Sequence, residues 1–136
     1  MIAVAQPGVI NYDLHHAVKE KGLYYPPDPA SYETSSIGGN IAEDAGGPHC
    51  YKYGTTRDYI LGLEIVLPDG TIMKTGVQTR KGVVGYDITD LIIGSEGTLA
   101  IVTEATLRLI PFPGKTITLL AFFPDIDTLS TTLYDL

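Results

Sequence analysis

Two glycine-rich segments contain the residue types best suited to contact a large ligand. The first, residues 36–47, reads SIGGNIAEDAGG and places four glycines within twelve positions. If Ser36 caps a short helix, Gly38 and Gly39 fall in its first turn, where unpaired N–H groups point outward and a missing side chain lets a ligand approach. Close packing of the helix explains the same pair equally well, and the glycine count does not decide between the two explanations.

The second pair of glycines in this segment has a structural explanation. Gly46 and Gly47 are expected to end the helix, in backbone conformations that other residues resist. Glu43 and Asp44 argue against a phosphate bound directly here, because like charges repel at short range. An uncharged part of a ligand is the better partner. Another glycine-bracketed turn at residues 94–97 precedes a long predicted strand, so the two turns can line one cleft.

The histidines and the single cysteine do not form a metal-binding pattern. His15 and His16 are adjacent on a predicted helix, where consecutive side chains point about 100° apart and cannot face one metal ion. The dipeptide His49-Cys50 matches no zinc spacing, and both residues are expected to have a structural role in their loop. We therefore predict no metal site.

The composition is that of one folded domain or part of one. The 136 residues are 44% hydrophobic, and nine Lys and Arg against sixteen Asp and Glu give a net charge of -7. This charge excludes a surface for the phosphate backbone of nucleic acid. One cysteine excludes an internal disulfide, and no window resembles a secretory signal or a transmembrane segment. We expect a soluble, cytoplasmic protein. Arg80 and Lys81 are candidates for steering an anionic substrate, although exposed basic residues are usually only solvated.

The pattern of apolar residues predicts an α+β fold. Strands are expected at residues 2–5, 59–67, 71–75, 98–109 and 116–123. Helices are expected at residues 11–21, after Ser36 and from residue 125 onward. The Pro68-Asp69-Gly70 sequence predicts a β-hairpin, and the prolines at positions 26, 27 and 29 favour extended backbone.

Two elements carry more detailed expectations. In the first helix Asn11 is expected to be the N-cap, Gly22 to be the stop, and Leu14, Ala17 and Val18 to form one apolar face. In the strand at residues 98–109 the alternating apolar positions are Leu99, Ile101, Ala105, Leu107 and Leu109.

Three stretches resemble, in order, the flavin-binding domain of the FAD-linked 2-hydroxy-acid oxidoreductases. They are PPDPASYETSSIGGNIAEDAGGPHCYKYG, GLEIVLPDG and GYDITDLIIGSEGTLAIVTEATLRL. This is the D-lactate dehydrogenase and glycolate oxidase flavin-subunit group of the vanillyl-alcohol oxidase-type superfamily. The resemblance implies a partial α+β FAD-binding domain, mostly its second subdomain, with an antiparallel sheet flanked by helices. Residues 1–22 would end the first subdomain, 23–114 form the second, and 115–136 begin a truncated substrate (cap) domain.

The resemblance also implies which residues contact FAD, which would be bound non-covalently. The contacts carried over by motif are Pro29, Ser31, Ser35, Ser36, Ile37, Gly38, Gly39, Asn40, Ala42, Ala45, Gly46, Tyr53, Gly54, Glu96, Gly97, Ile101 and Val102. Covalent attachment through Cys50 is not expected, because relatives that use a cysteine carry it where this chain has Tyr32. The family usually has Asn in place of Asp44 and Gly in place of Ala100, and either change could weaken FAD binding.

The implied function is the oxidation of a small 2-hydroxy acid, of the D-lactate or glycolate type, to the 2-oxo acid. The family's diphosphate loop would precede Met1 and its substrate-binding residues would follow Leu136, so no catalytic base is assigned. We expect the chain alone to be inactive, to bind FAD weakly, and either to self-associate or to need a partner subunit. The alternative is a stand-alone remnant of a flavin domain that acts as a non-catalytic binding or structural module.

Overall fold

The computed structural model describes residues 1–77, 85–115 and 117–135, which form an antiparallel sheet with helices packed around it. The strands are β1 (Ile2–Ala5), β2 (Leu23–Tyr24), β3 (Ile60–Val66), β4 (Ile72–Lys74), β5 (Ile101–Arg108) and β6 (Ile110–Pro111). The helices are α1 (Asn11–Lys19), α2 (Ile37–Glu43), α3 (Cys50–Tyr53), α4 (Ile88–Ile92) and α5 (Ile126–Tyr134), with a 3₁₀ turn at Thr56–Tyr59. This architecture is the predicted α+β class.

The main sheet has four strands in the order β1-β5-β3-β4, and every neighbouring pair is antiparallel. The hairpin of β3 and β4 forms as predicted, with Gly70 at φ +83° in its turn. A second, two-stranded sheet joins β2 to β6. Because β1 pairs with β5, the strand assigned to the first subdomain lies in the same sheet as the hairpin. The division at residues 22 and 114 stays a prediction.

The first helix differs from the prediction at its N-terminal end. Ile10 is the N-cap and makes no side-chain cap hydrogen bond, while Asn11 lies inside α1. The Asn11 side chain is fully buried, and its Nδ2 donates to the carbonyl of Pro27 over 3.0 Å, which attaches α1 to the proline-rich segment. Leu14 and Val18 are buried as predicted, whereas Ala17 is exposed.

The strand predicted at residues 98–109 begins only at Ile101, because residues 94–98 form turns. Ala105, Leu107 and Leu109 are buried in the core as expected, but Leu99 and Ile101 are exposed. The alternating pattern therefore identifies the buried face only in the C-terminal half of this segment.

The prediction of a strand at residues 116–123 is wrong for the residues that the structure describes. Residues 117–123 form no strand, and Leu119, Leu120 and Phe122 are almost fully exposed. An alternating pattern is insufficient for a strand, since the strand also needs a partner edge to satisfy its backbone hydrogen bonds. The next element, α5, forms as predicted, and Asp125 caps it by accepting from the Thr128 N–H. Arg80 and Lys81 lie outside the described residues.

Candidate functional site

The first turn of α2 has the predicted cap but no free donors. The Ser36 hydroxyl accepts from the Gly39 N–H over 3.1 Å, as expected for an N-cap serine. The N–H groups of Ile37 and Gly38 donate to the carbonyls of Val9 and Pro7 at 2.9 and 2.8 Å. The expectation of unpaired N–H groups is therefore wrong, because the chain segment before α1 already accepts those hydrogen bonds.

The two glycines of this turn serve different purposes. A Cβ atom built on Gly38 would lie 2.6 Å from Pro7 Cβ, which is closer than such atoms approach. A Cβ on Gly39 would meet only the Ser36 hydroxyl, at 3.3 Å, and Gly39 lines a cleft. Gly38 therefore allows the close packing that one explanation predicts, and Gly39 leaves open space in the cleft.

The second pair of glycines does not end α2 as predicted. The residue that ends the helix in the left-handed conformation is Asp44, at φ +52°, and neither Gly46 nor Gly47 has a positive φ. Gly47 instead allows the backbone to pass against Asp28, since a Cβ at this position would clash with the Asp28 carbonyl and carboxylate. Gly46 lines the same cleft as Gly39.

Two clefts meet at Ser36 and Gly39, and together they form what we call the groove. The first cleft, of about 410 Å³, is lined by Pro29, Ser31, Ser35, Ser36, Gly39, Asn40, Glu43, Ala45 and Gly46. The second, of about 360 Å³, is lined by Pro7, Ser36, Gly38, Gly39, Ile41, Ala42, Ile92, Ser95, Gly97, Ala100, Ile101 and Val102. The groove thus runs across the first turn of α2 and reaches the turn that precedes β5.

Most of the residues predicted to contact the cofactor line this groove. The predicted residues outside its lining are Ile37, Tyr53, Gly54 and Glu96. The Ile37 side chain is fully buried in the core, so only its backbone is near the groove. The Tyr53 carbonyl accepts a hydrogen bond from the Tyr59 hydroxyl over 2.8 Å, and the Tyr53 ring lies beside those of Tyr24 and His49.

The groove contains polar groups that the protein itself leaves unsatisfied. Among the described residues, Asn40 Nδ2 and Ser35 Oγ are buried without a hydrogen-bond partner. Both residues line the first cleft. A buried polar group without a partner is costly, so these two groups favour a ligand that supplies hydrogen bonds. Apart from Glu43 the lining residues of both clefts are uncharged. The groove therefore fits the uncharged parts of a cofactor such as FAD.

The turn before β5 is attached directly to the C-terminal end of α2. The Gly94 N–H donates to the Ile41 carbonyl and the Glu96 N–H to the Ala42 carbonyl, both at 2.9 Å. Glu96 and Gly97 both have left-handed backbone conformations, with φ of +53° and +72°. The two glycine-rich segments thus form adjacent walls of one groove, as the sequence predicts.

The charge of Asp44 is paired by the loop residue Thr55 and by Arg57 of the 3₁₀ turn at Thr56–Tyr59. Its carboxylate accepts from the Arg57 backbone N–H, the Arg57 Nε and the Thr55 hydroxyl at 2.9 to 3.0 Å. Partial burial would raise the pKa of this carboxyl, but the hydrogen bonds from Arg57 and Thr55 outweigh burial, so its pKa is lowered. The sequence did not identify Arg57, because thirteen residues separate it from Asp44 and no motif marks it.

The histidines and Cys50 lie in structural settings. The His49 imidazole pairs with the Asp28 carboxylate, and His15 Nε2 is 3.0 Å from the Pro27 carbonyl. Burial lowers the pKa of His15, although the Pro27 carbonyl acts in the opposite direction. Cys50 is exposed. In the part of the chain that the structure describes, no three His, Cys, Asp or Glu side chains are grouped to hold a metal ion. Over the same residues, no helix is long and apolar enough to cross a membrane.

Comparisons with known proteins identify the family. The profile of the FAD binding domain matches residues 1–76, more than half of the 136 residues. The glycolate oxidase subunit GlcD of Bacillus subtilis is 53% identical over the whole chain, which covers 29% of that protein. A D-lactate dehydrogenase of Anaerostipes hadrus is 43% identical over 94% of the chain and 27% of its own length. The chain therefore spans less than a third of these relatives.

A solved structure confirms the fold class. The chain superposes on an alkyldihydroxyacetonephosphate synthase with a TM-score of 0.71 and 30% identity, over 85% of this chain and 20% of the synthase. The partial vanillyl-alcohol oxidase-type fold predicted from the sequence is therefore confirmed. Together with the family profile and the sequence relatives, it shows that this chain belongs to the FAD binding domain family of the FAD-linked oxidoreductases.

Proposed function

We propose that this chain is the flavin-contacting part of an FAD-dependent oxidoreductase that converts a small 2-hydroxy acid into the 2-oxo acid. The observation that carries the proposal is the groove, whose two walls are the glycine-rich segment at residues 36–47 and the glycine-bracketed turn at residues 94–97 with the start of β5. The relatives named glycolate oxidase and D-lactate dehydrogenase support a substrate of the glycolate or D-lactate type.

The chain's residues would bind the cofactor mainly through shape and a few hydrogen bonds. Gly39 leaves space above the helix for a flat group, and Ala42 and Val102 supply apolar surface beside it. The unsatisfied Asn40 amide and Ser35 hydroxyl would hydrogen-bond to polar edges of the ligand. Glu43 makes the first cleft unsuitable for a phosphate, which supports uncharged contacts at that end of the groove.

When bound, FAD supplies the acceptor for a hydride equivalent from the carbon that bears the substrate hydroxyl group. The groove residues hold and orient the cofactor for this chemistry. We assign no described side chain as the base that takes the hydroxyl proton, and we propose that the base and the residues binding the substrate carboxylate belong to other segments or to a partner subunit. The single cysteine is consistent with a cytoplasmic location, which is part of the same proposal.

A chimaera tests the proposal. The 136 residues of this chain would replace their equivalents in the Bacillus subtilis glycolate oxidase subunit GlcD, to which they are 53% identical. We expect the purified chimaera to carry flavin absorbance and to oxidise glycolate or D-lactate, with the unaltered relative as the positive control. A Gly39→Val version, which fills the groove, should lose the flavin.

Two results would count against this function. A folded chimaera without flavin, beside a flavin-containing parent, would contradict the cofactor site. A chimaera that retains flavin but oxidises no 2-hydroxy acid oxidised by its parent would instead support the alternative of a binding module without catalysis.

A further inference from the structure

The guanidinium group of Arg57 connects the two walls of the groove without lining it. Arg57 lies on the 3₁₀ turn at Thr56–Tyr59, and its Nε donates to Asp44 Oδ2 over 3.0 Å. Its Nη1 donates to the Asp90 carbonyl at 2.7 Å and its Nη2 to the Ile93 carbonyl at 3.0 Å. Arg57 thereby binds the C-terminal end of α2 and the end of α4 at the same time.

These bonds lie next to the contacts that set the width of the groove. Ala42 lines the groove from α2, and Ser95 and Gly97 line it from the facing turn. In the part of the chain that the structure describes, the backbone hydrogen bonds between these segments run from the N–H groups of Gly94 and Glu96 to α2. If the end of α4 moves away from Asp44, both bonds must lengthen and the groove must widen.

The geometry requires arginine at this position. The guanidinium presents several donors in a fixed plane, so one side chain reaches a carboxylate and two carbonyls in different directions. A lysine has one nitrogen and cannot occupy all three positions. The fit is close, since a Cβ built on Gly94 would lie 3.4 Å from Arg57 Nη2 and 3.5 Å from Asp44 Cβ.

We propose that Arg57 is a positioning residue for the cofactor: it does not line the groove but fixes the separation of its two walls and thereby sets the affinity for FAD. The inference rests on the proposed function of the groove. It also gives Asp44 a role, because the carboxylate that replaces the family's usual Asn is one of two charged partners of Arg57, beside Asp90, whose Oδ1 lies 3.3 Å from Arg57 Nη1.

The test uses the 136-residue chain and its Arg57→Gln, Arg57→Lys and Asp44→Asn variants. Lys74→Gln is the matched control, since it removes one positive charge and an ion pair, Lys74 to Glu64 at 3.4 Å, from the edge strand β4, which does not line the groove. The first measurement is amide hydrogen exchange without ligand over residues 92–102. The second is the FAD dissociation constant from an NMR titration, and the third is thermal unfolding.

We expect Arg57→Gln to speed exchange at Gly94 and Glu96 and to weaken FAD binding about tenfold, while amides of β3 and β5 keep their protection. Arg57→Lys keeps the positive charge that Arg57→Gln removes, but its FAD affinity should remain below that of the wild type. Lys74→Gln should match the wild type in both measurements. Asp44→Asn should give a smaller effect in the same direction, because it removes one of the two carboxylates paired with Arg57. This is the opposite of what the family's usual Asn at this position leads one to expect. The variant decides the question if Arg57→Gln fails to fold.

The proposal is overturned if folded Arg57→Gln has the same amide exchange at residues 92–102 and the same FAD affinity as Lys74→Gln. If Arg57→Gln does not fold, the same comparison is made with Asp44→Asn. Restoration of affinity by Arg57→Lys would also contradict it, because charge alone would then suffice. If the wild-type chain shows no FAD response, the proposed function of the groove fails and this inference fails with it. If the wild-type chain binds FAD and the variants bind it with the same affinity and show the same amide exchange, this inference is refuted while the proposed function of the groove stands.

Discussion

Gly38 and Gly39 are adjacent, and alanine at each position is expected to impair a different property. A Cβ at Gly38 would lie 2.6 Å from Pro7 Cβ and 3.2 Å from the Pro7 carbonyl oxygen. Overpacking of this kind costs about 1 to 3 kcal/mol, which is partly offset by the gain of about 0.5 to 1 kcal/mol from replacing a helical glycine by alanine. The difference between these ranges spans about 0 to 2.5 kcal/mol. Because a contact of 2.6 Å is a severe overlap, we expect Gly38→Ala to lower the free energy of unfolding by about 1 to 2 kcal/mol.

Gly39→Ala is the matched substitution one residue further along the helix. Its methyl group would meet only the Ser36 hydroxyl, at 3.3 Å, so the cap bond must shift slightly while the helix gains propensity. These effects nearly cancel, and we expect a free energy of unfolding within about 0.5 kcal/mol of the wild type. Because Gly39 lines the groove, the added methyl group occupies part of the space for the ligand. FAD affinity should therefore fall about tenfold, which is about 1.4 kcal/mol.

Two sets of measurements separate the two effects: urea and thermal unfolding followed by circular dichroism, and an FAD titration. Gly38→Ala should lower the melting temperature by about 3 to 10 °C, whereas Gly39→Ala should leave it nearly unchanged. A Gly38→Ala protein as stable as the wild type would refute the packing of α2 on Pro7. A Gly39→Ala protein with undiminished FAD affinity would refute the position of the ligand.

Three further perturbations follow from the same structure. Ser36→Ala should cost about 1 kcal/mol in urea unfolding, because the Gly39 N–H loses its acceptor, and an unchanged midpoint would contradict the cap. The pKa of Asp44 is lowered on folding, so its stabilising contribution is present above the ordinary value of 3.8 and is lost as the pH falls through the folded-state value. Asp44→Asn should therefore lose less stability than the wild type between pH 7 and pH 3, and equal losses would contradict this. Light scattering should show self-association that a triple serine variant at Leu119, Leu120 and Phe122 reduces, whereas a monodisperse wild-type monomer at high concentration would contradict it.

Features governed by neighbouring residues were predictable from the sequence. The Ser36 cap depends on a bond across three residues, and the β3–β4 hairpin on the Asp69-Gly70 turn. The motifs also placed both glycine-rich segments on one groove. These signals are local, or they are carried by residue types that permit few other conformations.

Features governed by distant partners were not predictable in this way. The first-turn N–H groups of α2 are used by carbonyls of residues 7 and 9, and no spacing in the sequence shows this. Asp44 rather than Gly46 or Gly47 ends α2 in the left-handed conformation, where the side chain is held by Arg57 and Thr55. Arg57 reaches carbonyls 33 and 36 residues away, so its role follows only from the fold.

The most direct test of the groove as the FAD site is a heteronuclear NMR titration of the ¹⁵N-labelled chain with FAD, which detects weak binding as well as strong. We expect saturable shifts of the backbone amides of Ser35, Gly39 and Gly97 and of the Asn40 side-chain amide. The amides of β4 and α5, which lie outside the groove, should remain unchanged. Saturable shifts confined to residues outside the groove, or no saturable shifts at millimolar FAD, would contradict the assignment of this groove to the cofactor.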